Sequence, residues 1–283
     1  MPDQTCLSRH LLYASVHAYH PRSTAYSSAP PRWLAPPLEI DAPPIDFALV
    51  GRFAEGIVIA FRGTLPPLDL SPDGTRIVVP EFIQWPAIIG DVGNDLHALM
   101  RADAPAGARP ALPGQVHPGF ARSLDELWGR VAAEVDRLRG TDAAPRLYCT
   151  GHSKGGALAN LAALSARRTW PAAIVKAATF GAARAGDAAF AQAYRAAGID
   201  CRRYEVAEDL VPDLPPGGTA VGTRHAVALV TFPPPRSLLD RLRAIFVRDD
   251  RGVVPVPIAA HLPYREFGYD RHVYEPGGQP EWS

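Results

Sequence analysis

Apolar and polar residues recur along this chain with two periods, one typical of helices and one typical of strands. Residues 5–20 carry apolar positions three and four apart, which predicts a surface helix. Residues 21–44 are rich in Pro, Ser and Ala and predict an irregular segment that wraps the domain. Apolar runs at 45–53 and 57–61 flank a three-residue turn. They predict a β-hairpin.

After residue 119, segments with the helical period alternate with segments typical of strands. A long amphipathic helix is predicted, which Gly140 ends, and an apolar run then leads into an Ala/Leu-rich helix. The predicted elements are helix 120–138, strand 147–150, the helix after Ser153, strand 174–180, helix 187–197 and strand 201–206. Strands that alternate with helices indicate an α/β fold, with a mostly parallel sheet covered on both faces.

The stretch at about 65–95 mixes turn residues with apolar clusters. A cluster between two prolines includes Trp85 and Ile88. Such a stretch is either a packed piece of the core or a mobile flap. We favour the flap, a candidate lid, because the stretch follows the candidate oxyanion loop described below.

Composition narrows the function. Lys plus Arg and Asp plus Glu both number 29 in 283 residues and are scattered, which argues against a nucleic-acid partner. We expect one domain over 1–283, with the first 44 residues as helix and wrapping segment. No apolar run approaches the roughly 20 residues of a transmembrane span, and residues 1–20 do not read as a signal peptide. Cytoplasm is the expected location.

The three cysteines, Cys6, Cys149 and Cys201, follow no spacing that suggests a disulfide framework or a metal site. Two of them lie in predicted core strands. We therefore expect these two to be buried thiols and not metal ligands.

The segment Gly151-His152-Ser153-Lys154-Gly155 has the Gly-x-Ser-x-Gly form. It lies between a predicted strand and a predicted helix, where a sharp turn exposes a serine hydroxyl and leaves no room for neighbouring Cβ atoms. Ser153 is therefore the candidate nucleophile. The alternative is a Gly-rich turn with an incidental serine.

A serine nucleophile needs an imidazole base and a carboxylate that orients the imidazole. On this kind of sheet both follow the serine in the chain. Asp209, at the mouth of a Pro-bounded loop after a strand, is the candidate acid. On spacing alone, Glu208 and Asp213 are equally plausible.

Three histidines follow Ser153. His261 stands at a loop-to-helix junction after a Pro-rich stretch and is the first candidate for the base. His272 is the second. His225 begins an alternating strand, so its expected role is structural.

The predicted strand 57–61 runs into Arg62-Gly63-Thr64. A glycine beside a hydroxyl residue just past a strand end lets backbone N–H groups face a developing negative charge. Thr64 is thus one candidate oxyanion donor, and the N–H of Lys154 is the other. The alternative is an ordinary turn.

Six motifs in order resemble the class 3 lipases, the fungal-type triacylglycerol lipase family and its bacterial members. They are Ala60-Phe61-Arg62-Gly63-Thr64, Asn94-Asp95-Leu96, Val116-His117-Pro118-Gly119-Phe120, Thr150 to Ala159, Thr179 to Asp187, and Asp209 to Pro215. The chain departs from the family at Val92-Gly93, where the family usually has a Trp, and in a longer segment from Thr64 to Asp95.

The resemblance implies an α/β-hydrolase fold, a triad of Ser153, Asp209 and a late histidine, and an oxyanion hole at Thr64 and Lys154. His261 with a Tyr three residues on is similar to the family's base region. The resemblance also implies carboxylic ester hydrolysis without a metal or cofactor.

The implied substrate is a small-molecule ester or a lipid, with transient contact with lipid interfaces. Trp85, Ile88 and His152 are candidate substrate-binding residues. A phospholipase or acyltransferase on the same triad, or a catalytically silent hydrolase fold used for binding, stay open as alternatives.

Overall fold

The fold comes from a computed structural model. It describes residues 7–19, 32–42, 46–63, 69–70, 77–78, 101–102, 109–206, 211–213, 228–232, 246–249 and 252–255. Four helices belong to this part of the chain: α1 (Leu7–His17), α2 (Pro118–Arg139), α3 (Lys154–Thr169) and α4 (Ala188–Ala196).

A seven-stranded sheet forms the centre of the molecule, in the order β1-β2-β3-β8-β9-β10-β11. Its strands are β1 (Leu38–Ala42), β2 (Asp46–Phe53), β3 (Gly56–Phe61), β8 (Arg146–His152), β9 (Ile174–Phe180), β10 (Asp200–Val206) and β11 (Ala228–Phe232). From β3 to β11 all neighbours are parallel, while β1, β2 and β3 pair antiparallel. The carboxyl ends of the parallel strands therefore meet at one edge of the sheet.

The described residues also form three two-stranded ladders. They pair β4 (Asp69–Leu70) with β5 (Ile77–Val78), β6 (Arg101–Ala102) with β7 (Gln115–Val116), and β12 (Phe246–Asp249) with β13 (Gly252–Pro255). A 3₁₀ turn covers Val211–Asp213. Among the described helices none combines the length and apolar character that a membrane span requires.

Helices cover both faces of the sheet, as the pattern predicted. Buried side chains of α2, α3 and α4 pack on one face, around the fully buried Trp128 and Phe190. Helix α1 packs on the other, against Leu49, Phe180 and Tyr204. Two hydrophobic cores result, and the sheet separates them.

Sequence and structure agree on the parallel part of the sheet. The predicted hairpin is the β2–β3 pair, and the helix predicted at 120–138 begins two residues earlier, at Pro118, with His117 as its N-cap. Gly140 ends it with a positive φ of 54°. Both predicted buried thiols, Cys149 and Cys201, are buried.

Two predictions about the first 44 residues need correction. Helix α1 is not a surface helix, because eight of its eleven residues are buried. Ser8, one of its buried polar residues, accepts a hydrogen bond at Oγ from the Tyr204 hydroxyl over 2.7 Å. Moreover, part of the segment predicted as irregular is strand β1, whose Ile40 and Ala42 point into the core.

Candidate active site

Ser153 lies between the end of β8 and the start of α3, at the carboxyl edge of the sheet. Its backbone has φ 59° and ψ −127°, and it is the one non-glycine residue with positive φ in the described part of the chain. Its N–H donates to the Phe180 carbonyl of β9 over 3.0 Å. A serine whose backbone is held in this strained conformation is typical of a nucleophile elbow.

Three glycines make the turn possible. A Cβ on Gly151 would collide with the Gly155 carbonyl group, and a Cβ on Gly155 would collide with the Phe61 carbonyl oxygen of β3. A Cβ on Gly156 would lie 2.5 Å from that of Ala182. The first turn of α3 therefore packs directly on strand β3 and on the turn after β9, as the sequence pattern predicted.

The end of β3 lies beside this elbow. Arg62 donates its N–H to the Phe47 carbonyl over 3.0 Å, and its guanidinium stands 5.0 Å from the centre of the Phe47 ring. Burial lowers the pKa of Arg62, and the nearby Asp46 opposes that effect. Gly63 is the next residue, and its Cα packs against the His152 carbonyl oxygen. This arrangement brings the segment that leads to Thr64 next to Ser153.

His152, the residue before the nucleophile, is buried and shares a hydrogen bond of 2.8 Å between its Nδ1 and the Tyr19 hydroxyl. The same hydroxyl contacts the Cα side of Gly63. Tyr19 therefore lies between the elbow and the end of β3. His152 was a candidate substrate-binding residue. The structure shows its ring in a buried contact with Tyr19.

Lys154, the residue after the nucleophile, forms an ion pair with Asp46, at 2.7 Å between Nζ and Oδ1. Its own N–H belongs to the first turn of α3, where backbone N–H groups have no partner within the helix. The helix dipole adds a partial positive charge at the same place. The turn therefore places backbone N–H donors beside Ser153.

Sequence reasoning missed both Tyr19 and Asp46. Tyr19 is separated from His152 by 133 positions and Asp46 from Lys154 by 108. Neither belongs to a recognisable motif. Only the pairing of β2 with β3 and the packing of α1 on β8 bring them to the elbow.

Five predicted site residues lie outside the described residues: Thr64, Trp85, Ile88, Asp209 and His261. So do the alternative base His272 and the larger part of the candidate lid at 65–95. The described residues on either side of Asp209 are Val206, which ends β10 at the carboxyl edge, and Val211, which packs against the core that contains Trp128.

Two further motif segments pair with each other near this edge. Val116 forms a β-bridge with Gly186, and the His117 N–H donates to the Ala185 carbonyl over 3.0 Å. Asp187 then caps α4 by accepting from the Phe190 N–H. These contacts tie the loop after β9 to the start of α2.

The two buried thiols are chemically unreactive. Burial raises the pKa of Cys201 to about 12 and that of Cys149 still further. Across the described ranges no group of three or more His, Cys, Asp or Glu side chains could hold a metal ion.

The family model described as Lipase (class 3) matches residues 58–219, more than half of the 283 residues. The chain belongs to the class 3 lipase family. The matched region begins in β3 and includes the elbow and the Asp209 loop, so the motifs that suggested the family are the ones that the match covers.

One relative of this class 3 lipase family member comes from a fungus. A lipase from Rhizomucor miehei is 34% identical over 125 residues, which cover 43% of this chain and 34% of that lipase. The match thus spans about a third of the relative's length. The solved structure of Rhizomucor miehei triacylglyceride lipase superposes with a TM-score of 0.53 at 25% identity, covering 76% of this chain and 75% of that one.

A wider superposition is found with MDLA from Penicillium cyclopium, in a mutant form. It has a TM-score of 0.58 and 17% identity, and it covers 92% of this chain and 94% of that one. At this identity the likeness concerns the fold alone. With the sheet order and the elbow, it establishes that this class 3 lipase family member has an α/β-hydrolase fold.

Proposed function

We propose that this protein is a serine hydrolase that cleaves carboxylic esters of lipid-like substrates through an acyl-enzyme intermediate. The observation that carries the proposal is the backbone of Ser153, held at φ 59° between a parallel strand and the first turn of a helix. Membership of the class 3 lipase family supports a lipid substrate.

In the proposed mechanism, Ser153 Oγ attacks the ester carbonyl carbon while His261 takes the hydroxyl proton. Asp209 orients the imidazole and stabilises the imidazolium. The tetrahedral oxyanion accepts hydrogen bonds from the N–H groups of Thr64 and Lys154. His261 returns the proton to the leaving alcohol, and water then hydrolyses the acyl-enzyme with His261 again as base.

The described residues support two of these assignments. Lys154 is the first residue of α3, so its N–H lies beside the nucleophile. Gly63 lies against the His152 carbonyl, and Thr64 is the next residue in the sequence. Both proposed donors therefore belong to segments that meet at the elbow.

The first test removes the nucleophile. We expect Ser153→Ala to lower the rate of p-nitrophenyl ester hydrolysis by roughly a thousandfold or more, because the oxyanion donors alone retain little catalysis. A fluorophosphonate probe should label the wild type at Ser153 and leave the variant unlabelled. Matched thermal melts check folding, and activity within tenfold of the wild type contradicts the proposal.

A second measurement concerns the substrate. Esters of increasing acyl length, from butyrate to palmitate, should show rising kcat/KM if an acyl-binding surface exists. Transfer of the acyl group to an added alcohol in preference to water would indicate an acyltransferase, and release of fatty acid only from phospholipids would indicate a phospholipase. Absence of probe labelling in the wild type would indicate a silent fold.

A further inference from the structure

The ion pair between Lys154 and Asp46 is short and well shielded. Nζ and Oδ1 are 2.7 Å apart, and the side chains are 17% and 10% exposed. By contrast, the ion pair of Lys176 with Asp200 measures 3.5 Å, and its carboxylate is 49% exposed. Screening by water is much weaker for the first pair, so its loss leaves a charge that is poorly solvated.

The position of Asp46 relates this pair to the end of β3. Asp46 opens β2, and the carbonyl of its neighbour Phe47 accepts the Arg62 N–H over 3.0 Å. The carboxylate also acts on Arg62 through its charge. Asp46 therefore lies beside the strand end that leads through Gly63 to Thr64.

The position of Lys154 relates the same pair to the elbow. Lys154 begins α3, and the next residue, Gly155, packs its Cα onto the backbone of Phe61 and Arg62. The lysine side chain thus joins the first turn of the helix to the first residue of β2. The two backbone segments that carry the proposed oxyanion donors lie at this junction.

We infer that Asp46 and Lys154 are a positioning pair that holds the backbone donors of the oxyanion hole at the distance the transition state requires. The inference rests on the proposed function. An oxyanion hole acts only when its donors are fixed before the charge develops, and a displacement of about 1 Å can cost about a hundredfold in rate. Lys154 connects the ion pair to the oxyanion hole. Its side chain forms the ion pair, and its backbone N–H is one of the proposed donors.

A positioning role differs from simple stabilisation in which kinetic constant responds. Donors that meet only the developing oxyanion affect kcat and leave KM nearly unchanged. A pair that only stabilises the fold would lower the melting temperature and leave kcat per active enzyme unchanged.

The experiment uses the full-length protein and counts active enzyme by fluorophosphonate titration. We expect Asp46→Asn and Lys154→Met each to lower kcat at least tenfold with KM within twofold, and to slow phosphonylation in parallel. The double variant should fall no further than the worse single variant. Asp46→Glu, which keeps the carboxylate, should recover most of the loss. The matched control, Asp200→Asn, removes the exposed ion pair and should leave kcat within twofold.

Several results would overturn the inference: unchanged kcat in both single variants, additive losses in the double variant, or an equal loss in Asp200→Asn. Failure of the proposed function looks different. A wild type that neither hydrolyses esters nor reacts with the probe contradicts the proposed function and this inference with it. An active wild type with unaffected Asp46 variants contradicts only the inference.

Discussion

Gly155 packs its Cα against the backbone of Phe61 and Arg62, so a methyl group there meets atoms that cannot rotate away. We expect Gly155→Ala to destabilise the fold by about 1–3 kcal/mol, the usual cost of overpacking. Ester hydrolysis should fall more than tenfold, because the helix must move away from β3 and takes the Lys154 N–H with it. Chemical denaturation and steady-state kinetics measure the two effects.

Gly198 offers the matched control. Unlike Gly155 it has a positive φ, 66°, and a Cβ there meets nothing within 4 Å. Gly198→Ala should cost about 1 kcal/mol through backbone strain alone. Its kcat should equal that of the wild type. Equal loss of activity in both variants would show that the close approach of Gly155 to β3 has no part in the chemistry.

A second prediction at the scale of one residue concerns Tyr19. Its hydroxyl is hydrogen-bonded to Nδ1 of His152, which is only 2% exposed. Tyr19→Phe leaves that buried nitrogen without this partner, at a cost of about 1–3 kcal/mol. We expect kcat to drop several-fold with little change in KM, because the elbow loses a contact at His152, the residue before the nucleophile. Tyr13→Phe, in the helix that precedes Tyr19, is the control, and an equal drop there would contradict the assignment.

At the scale of elements, α1 shows where the sequence pattern is insufficient. The spacing of Leu7, Leu11 and Leu12 predicted a helix, and the helix is there. It also predicted a surface position, since Ser and His alternate with the leucines. The prediction failed because polar side chains can be buried when they find partners, as Ser8 does with the Tyr204 hydroxyl and Ser15 with the Leu12 carbonyl.

Strand β1 was missed for a related reason. Its five residues alternate between apolar and polar types, and Ile40 and Ala42 are buried while Glu39 and Asp41 are exposed. This alternation is the usual signal of a half-buried strand. The prolines around it predict irregular chain across the whole of 21–44, and this signal outweighed the alternation of five residues.

Helix α1 also carries a histidine that should make stability depend on pH. Burial, with the charges of Arg32 and Arg9, lowers the pKa of His10 from 6.5 to about 4. As the pH falls below 6.5 the unfolded chain binds a proton that the folded chain does not. The contribution to stability is therefore complete above pH 6.5 and is lost progressively between 6.5 and 4, by about 2 kcal/mol at pH 5.

His10→Phe tests this contribution, because a phenyl ring can keep the edge contacts with Tyr13 and Phe53. We expect the melting temperature of the variant to fall less than that of the wild type between pH 6.5 and 4.5. Melts at pH 8 measure the pH-independent effect of the substitution on packing. Parallel curves for the two proteins would show that another group is responsible.

At the scale of the whole molecule, the chemistry depends on which strand ends share an edge. Strands β3, β8, β9 and β10 are parallel neighbours, so Gly63, Ser153, Gly181 and Val206 follow or end strands on the same side. The alternation of strands and helices was enough to predict this edge and the elbow, because both depend on local periodicity and on glycine sterics. The partners of the elbow, Tyr19 and Asp46, depend on long-range packing that no local pattern records.

The assignment of acid and base is the prediction that this shared edge supports and that mutation must test. Asp209 follows the end of β10 by three residues, whereas His261 and His272 follow β13. A base that takes the Ser153 proton must lie within hydrogen-bond reach of Oγ, so only one of the two histidines can serve. We expect His261→Ala to lower kcat by roughly a thousandfold or more and Asp209→Asn by up to about ten-thousandfold, because the imidazole then adopts the wrong tautomer. His272→Ala should change kcat less than threefold. The reverse order of the two histidine variants, at equal melting temperatures, would move the base to His272 and leave Ser153 and the elbow where they are.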